Sequence, residues 1–275
     1  MATTGIYNFP AQMAHRHLRK TNVKLSLAMA QLSAGRRVQA AKDDAAALAL
    51  GSRFGAEIAG LHQAHANAGQ AAAMLQVADG GMARIGDMLV RMKALAVQAG
   101  SGQLSATERG ALDSEFQALS AEIGRIAADT DFAGTPLLDG SAGSIDFKVG
   151  TGTGPAADEL SVPLADVSAA ALSLDTAGIA SRDAAEAALA AVDGAIGLVQ
   201  HARAGIGASQ NRLDAAAAGI ATSIENTEAA RSALIDLDIA AASADLAALD
   251  IRNSAGIAML NQANRQQKAV LRLVV

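Results

Sequence analysis

Apolar residues recur along most of this chain in alternating steps of three and four, the repeat of helices that pack side by side. The first such run is Leu18, Asn22, Leu25, Met29 and Leu32, ending at Gly35, a residue suited to the left-handed position after a helix. Asp43 or Asp44 then caps a second helix with the stripe Phe54, Ile58, Leu61, His65, Ala68, Ala72, Leu75, Asp79 and Met82, continued by Leu89, Met92 and Ala96. The segment 99–103 ends it. Ser105 and Glu108 form a capping box, each side chain serving the other's backbone amide, ahead of Leu112, Phe116, Leu119, Ile123 and Ile126.

The periodicity changes after residue 129. A turn-rich stretch at 129–143 leads to two short strand candidates, 144–149 and 159–164, which read as a hairpin with a loose loop. A second capping box, Asp183 with Glu186, opens the longest helix. Its stripe is Leu189, Val192, Ile196, Val199, Arg203, Ile206, Gln210, Leu213, Ala217, Ile220, Ile224, Thr227, Arg231 and Leu234. There the phase slips by one residue. It resumes from Ile235 as Ile239, Ala242, Leu246, Leu249, Asn253, Gly256, Leu260, Asn264, Gln267, Leu271 and Val274. A slip interrupts continuous seam packing, so it marks a joint.

The slip predicts one joint near 234–239, and Gly-Arg-Arg followed by Lys-Asp-Asp predicts another near 33–44. Each sets off a terminal helix of roughly 30–40 residues, about 45–60 Å long at 1.5 Å per residue. The expected fold is mainly α: long antiparallel helices in a coiled-coil-like rod, one small β-hairpin, and paired N- and C-terminal helices. Residues 1–43 and 235–275 form the inner terminal domain, with 33–43 as a spoke. Residues 44–234 form the outer domain, including the hairpin and loop region at about 130–180. Two helices alone bury little surface and are marginal in water. Something outside the chain must cover the terminal pair, and another copy is the simplest supplier.

Composition sharpens this picture. Half of the 275 residues are hydrophobic, yet aromatics are only 2%, so Ala, Leu, Ile and Val must fill the core. Small side chains let helix axes approach closely. The net charge of −5 gives no footprint for nucleic acid. The absence of cysteine excludes disulfides and thiolate chemistry. No run of about 20 apolar residues predicts a membrane span, and the N-terminus lacks the apolar stretch of a cleaved secretory signal.

Several motifs in chain order then resemble one family. The stretch Leu32 to Leu50, LSAGRRVQAAKDDAAALAL, resembles the N-terminal signature of bacterial flagellins. DFAGTPLLDG at 131–140 is similar to that family's turn. GASQNRL (207–213), IENTEAARSALIDLDIA (224–240) and IAMLNQANRQQKAVLRLV (257–274) resemble its C-terminal half. The likeness covers roughly 18–140 and 181–275. The chain departs from the usual pattern at Ala34, Gln39, Ala47 and Ala133, where Ser, Asn, Gly and Asn are usual, and in its first 17 residues.

The resemblance implies a structural subunit that self-assembles into the helical flagellar filament and transmits motor rotation for swimming. The alternative in the same machinery is a hook–filament junction protein. The implied assembly residues on the inner helices are Leu18, Leu25, Met29, Leu32, Leu246, Leu249, Ile257, Leu260, Leu271 and Val274. The implied spoke residues are Gly35, Arg36, Arg37, Lys42, Asp43 and Asp44. The family's ends fold on assembly, and the short middle, about 141–180, implies a thin, smooth filament. Partners by resemblance are other copies, the flagellar export apparatus with a secretion chaperone, the filament cap and hook-associated proteins. The implied location is the extracellular filament, reached without a cleaved signal by the flagellar type III route. The family segment sensed by a Toll-like receptor is similar to 89–98 plus the helix from Ser105, which puts Arg91, Leu95 and Glu115 at the contact positions.

No motif points to an enzyme, a cofactor or a metal. Asp43–Asp44 and Asp236–Asp238 stand at helix ends, where caps outweigh acid–base pairs. His62 and His65 are one turn apart but lack a third ligand in sequence. The GTGTG run (150–154) is not followed by Lys-Ser/Thr, so it reads as a hairpin loop rather than a phosphate cradle. Methionines such as Met82 and Met92 read as seam packing.

Overall fold

The computed structural model describes residues 8–274 apart from 153 and 155–157, with the side chains of 270–274 also outside the description. Five long helices make up most of it: α1 (Phe9–Ala34), α2 (Ala45–Ala99), α3 (Ala106–Asp129), α4 (Arg182–Ile235) and α5 (Ile239–Val274). Between α3 and α4 lie β1 (Asp131–Phe132), β2 (Thr135–Pro136), β3 (Ser144–Lys148) and β4 (Glu159–Pro163). The strands pair antiparallel as β1–β2 and β3–β4. In the second pair Ser144 stands opposite Pro163 and Lys148 opposite Glu159. By contact density the chain divides into Met1–Ala56 with Thr227–Val275, and Glu57–Asn226.

In the unit 57–226 the core forms along α2 and α4. The buried stripe of α2 is Leu61, Ala64, Ala68, Ala71, Leu75, Ala78, Met82, Ile85, Leu89, Met92, Ala96 and Ala99. This alternates three and four without a break, but between Leu61 and Met82 the sequence pattern chose the wrong partner at every second step. His65, Ala72 and Asp79 are not buried; Ala64, Ala71 and Ala78 are. The same correction holds for α4, where Ala188, Ala195 and Ser209 are buried rather than Leu189, Ile196 and Gln210. Both errors share a cause. Larger side chains attract the periodicity, whereas closely spaced helices place the smallest residues at their tightest approach.

Ion pairs fix the antiparallel register of the two helices: Arg203 meets Asp79 at 2.7 Å, and Lys93 meets Asp193 at 2.6 Å. The α3 helix closes the bundle with Phe116, Ser120, Ile123, Ile126 and Ala127. Its start is the predicted capping box, and the backbone N–H of Ser105 holds the Glu108 carboxyl below the ordinary carboxylate range. The Arg109 guanidinium donates to Ala99 O and Ser101 O, satisfying carbonyls at the end of α2.

The segment after α3 is more ordered than a turn-rich reading suggests. Leu164, Val167, Leu172, Leu174 and Ile179 all join the core, and Ser120 and Gln117 of α3 donate to Leu174 O and Ala177 O. Asn67 of α2 donates to Lys148 O at the end of β3. The predicted cap of α4 is corrected. Ser181 rather than Asp183 caps it, its hydroxyl accepting from the Ala184 N–H, which leaves Asp183 in the first turn beside the positive end of the helix dipole.

Candidate assembly surfaces

The joint begins where α1 stops. Gly35 adopts φ +66, its N–H reaches Leu32 O and the Arg36 N–H reaches Gln31 O, the two bonds of a Schellman ending. The chain then pairs with the end of α4 as an isolated antiparallel bridge between Arg36 and Asp236. The Arg37 N–H donates to Ile235 O at 2.7 Å, the Leu237 N–H donates to Gly35 O at 3.1 Å, and the Arg37 guanidinium donates to Leu234 O. Gln31 donates to Arg37 O, and Val38 is buried. The two joints inferred from the sequence are thus one object, where both chain segments cross together.

Asp43, Asp44 and Asp238 of the joint accept from backbone amides. Asp43 accepts from the Gln39 and Ala40 N–H groups, closing the loop before α2. Asp44 accepts from Ala47 N–H and starts α2. Asp238 accepts from Ala240 and Ala241 and starts α5. Lys42 is exposed.

The terminal helices lie against each other in antiparallel register. Asn8 caps α1 and also donates to Gln267 at 2.6 Å, Gly256 approaches Leu18, and the Arg36–Asp236 bridge closes the far end. The contact face of α1 is Ala11, Ala14, Leu18, Thr21, Leu25, Ala28 and Leu32, all only partly buried; no residue of α1 is buried. Opposite it run Ala242, Leu246, Leu249, Asn253, Gly256, Leu260, Ala263 and Gln267. Leu18, Leu25, Leu32, Leu246, Leu249 and Leu260 therefore fall on the seam. Met29 and Ile257 do not: they are 50% and 47% exposed, because small Ala28 and Gly256 take the inner positions. Asn22, Ile239 and Asn264 are likewise off the seam, and Leu271 and Val274 lie outside the described side chains.

Much apolar surface remains on this pair. Phe9, Met13, Val23, Leu27 and Met29 on α1, and Ile239, Ile251, Ile257 and Met259 on α5, are exposed, with Val23 and Ile251 both at 70%. So many large exposed apolar side chains on one helix pair point to an interaction surface. The Oδ1 of Asn253 is buried in the seam without a hydrogen-bond partner.

On the other unit, Arg91 of α2 and Glu115 of α3 form an ion pair at 2.6 Å and are both exposed. Leu95, placed with them by resemblance, is 1% exposed and belongs to the core. Among the described residues no group of three or more His, Asp or Glu side chains is arranged to hold a metal. In the β3–β4 loop the Gly154 N–H donates to Asp158, so the chain's own carboxylate occupies that turn. No described helix is long and apolar enough to cross a membrane.

Comparison with known proteins follows the same two halves. The bacterial flagellin N-terminal helical region matches residues 6–143, and the flagellin C-terminal helical region matches 189–274. A flagellin of Halalkalibacterium halodurans is 35% identical over 268 residues, 98% of each chain. A flagellar filament core protein of Brachyspira hyodysenteriae is 34% identical over 97% of this chain and 98% of its own. The crystal structure of Bacillus cereus flagellin superposes with a TM-score of 0.50 at 29% identity, covering 56% of this chain and 88% of that one. With paired terminal helices, a joint that ties both ends together, and matches that run from one end of the chain to the other, this protein belongs to the bacterial flagellin family.

Proposed function

We propose that this chain is a structural subunit that self-assembles into the helical bacterial flagellar filament and passes motor rotation along it. The observation that carries the reading is the terminal pair, whose outward sides carry exposed Phe, Met, Val, Leu and Ile side chains. Fixing a backbone residue costs about 1–2 kcal/mol, and buried apolar area returns about 25 cal/mol per Å². Two helices sharing a half-buried seam return little; neighbouring copies that cover the outer strips supply the rest. Different surfaces on opposite flanks propagate as an open helix rather than a closed ring. Residues 1–43 and 235–275, with 33–43 as the spoke, then form the inner shell, and 44–234 the outer one. The short stretch between the two helical halves leaves no outer variable domain, which gives a thin, smooth filament. Full-length similarity to named filament proteins supports this role over that of a hook–filament junction protein.

The filament is extracellular. Export by the flagellar type III route with a secretion chaperone, and contact with cap and hook-associated proteins at the filament ends, belong to the same reading. Seeded growth tests it. Purified protein added to short filament fragments elongates them in electron micrographs, and a chain ending at Asp238, without α5, does not. Normal elongation by the shortened chain overturns the proposal.

Arg91 and Glu115 are the contact pair for the flagellin-sensing Toll-like receptor in this reading, on the exposed junction of α2 and α3. Soluble protein is expected to activate receptor reporter cells, and Arg91→Ala to weaken activation at least tenfold. Equal activation by the variant, or none by either protein at micromolar concentration, removes the assignment.

A further inference from the structure

Each terminal helix carries one polar side chain on an otherwise apolar seam. The inward positions of α1 are Ala11, Ala14, Leu18, Thr21, Leu25, Ala28 and Leu32, and Thr21 alone among them has a hydrogen-bonding group. The inward positions of α5 between 242 and 263 are Ala242, Leu246, Leu249, Asn253, Gly256, Leu260 and Ala263, and there Asn253 stands alone. The close approach of Gly256 to Leu18 sets the register. Stepping by threes and fours along both helices from that contact places Ala14 level with Leu260, Leu32 with Ala242, and Thr21 with Asn253. The two polar residues share one layer.

A shift of the pair by one heptad, about 10 Å at 1.5 Å per residue, keeps an alternating seam but separates them. Shifted one way, Asn253 stands level with Ala28 and Thr21 with Leu260; shifted the other way, Asn253 stands level with Ala14 and Thr21 with Leu246. The Asn253 Oδ1 is buried without a hydrogen-bond partner, and the Thr21 hydroxyl donates to His17 O of its own helix. A shifted pairing sets that buried amide against alanine, which offers it nothing, and sets the Thr21 hydroxyl against leucine. Within one copy the Arg36–Asp236 bridge ties the two helices at the joint. Between copies no joint constrains α1 against α5, so the choice of register falls to the seam.

We propose that Asn253 is a register-determining residue: sharing its layer with Thr21, it disfavours heptad-shifted pairing of α1 with α5 between copies. A lone asparagine in an apolar helix seam selects one register and weakens the pair at the same time. This rests on the filament-subunit reading, in which neighbours cover the outward strips of the pair. A heptad shift moves exposed Val23 and Ile251 out of step and presents those neighbours with a different surface.

Asn253→Leu in the full chain separates the two effects. It is expected to raise the helical circular dichroism of the soluble protein, yet to raise the critical concentration for seeded growth at least about tenfold. The sequence has no cysteine, so introduced thiols report register. Soluble copies carrying Ala263→Cys are mixed with copies carrying either Ala11→Cys, level with 263 in the observed register, or Leu18→Cys, level with it after the heptad shift. Each set is made with Asn253 and with Asn253→Leu, then oxidised. The leucine variant is expected to raise the yield of the shifted disulfide between copies, relative to the unshifted one, at least about tenfold. Thr21→Asn combined with Asn253→Thr keeps a polar layer at the same level and is expected to restore both growth and the original disulfide ratio. An unchanged ratio in the leucine variant overturns the proposal, even if growth is lost, because Asn253 is then an ordinary packing residue. A lower helical signal, wild-type growth by the leucine variant, or failure of the exchanged pair to restore the ratio overturns it too. Wild-type protein that grows no filament defeats the functional reading instead; the disulfide ratio, read on soluble protein, still decides the role of Asn253.

Discussion

Ala133 shows how one residue can depart from a family pattern at a measurable cost. It sits with Gly134 in the two-residue turn between β1 and β2, where Phe132 pairs with Thr135. Both turn residues have positive φ, +52 for Ala133 and +82 for Gly134. A turn of this type favours Asn-Gly, because Asn tolerates the left-handed region and Ala does not. The Asp131 carboxylate, accepting from Gly134 N–H, helps to hold the turn closed. Ala133→Asn is therefore expected to stabilise the protein by about 0.5–1 kcal/mol, read as a higher midpoint in urea with an unchanged slope. An unchanged or lower midpoint refutes the strain argument. The family resemblance marks Ala133 as a departure from the usual Asn; only the backbone angle says why that matters.

For whole helices, the question is which stripe faces inward. On α2 the buried partner of Ala68 and Leu75 is Ala71, fully buried, whereas Ala72 is half-buried. Ala71→Leu forces a larger side chain into a closed seam and is expected to cost about 1–3 kcal/mol. Ala72→Leu is expected to cost well under half as much. Thermal unfolding of the two variants decides the phase, and equal effects contradict it. Helix ends obey local chemistry more faithfully. Ser105 with Glu108, Asp44 and Gly35 all act where the sequence puts them, since caps depend on residues within one turn. Arg125 is held in its charged form by Glu122 and Asp129 on its own helix, another interaction readable from spacing alone.

At the scale of the whole molecule, the two units differ in what makes them stable. The unit 57–226 has a continuous core drawn from α2, α3, α4 and the segment 160–179. The terminal pair has a half-buried seam, an unpartnered Asn253 oxygen and unpaired charges. Loss of α5 is thus expected to abolish filament growth while leaving the unit 57–226 folded. A point change in the core, such as Ala71→Leu, acts on folding instead. Assembly and stability are carried by different parts of the chain, so their failures can be told apart.

The sequence alone determined the helical class, the hairpin, the break at 236–238, the caps at Ser105, Asp44 and Gly35, and the family likeness. Each depends on short-range spacing or on motifs that stay contiguous. The inward stripe could not be read in this way. In a chain so rich in alanine, steps of three and four give nearly equal hydrophobic patterns, and only the partner helix decides between Ala71 and Ala72 or between Ala28 and Met29. Tertiary structure also decided that Leu95 is core, that residues 35–37 and the end of α4 form a single joint, and that residues 160–179 bury seven apolar side chains. Those outcomes turn on which segments meet, and distance along the chain does not encode that directly.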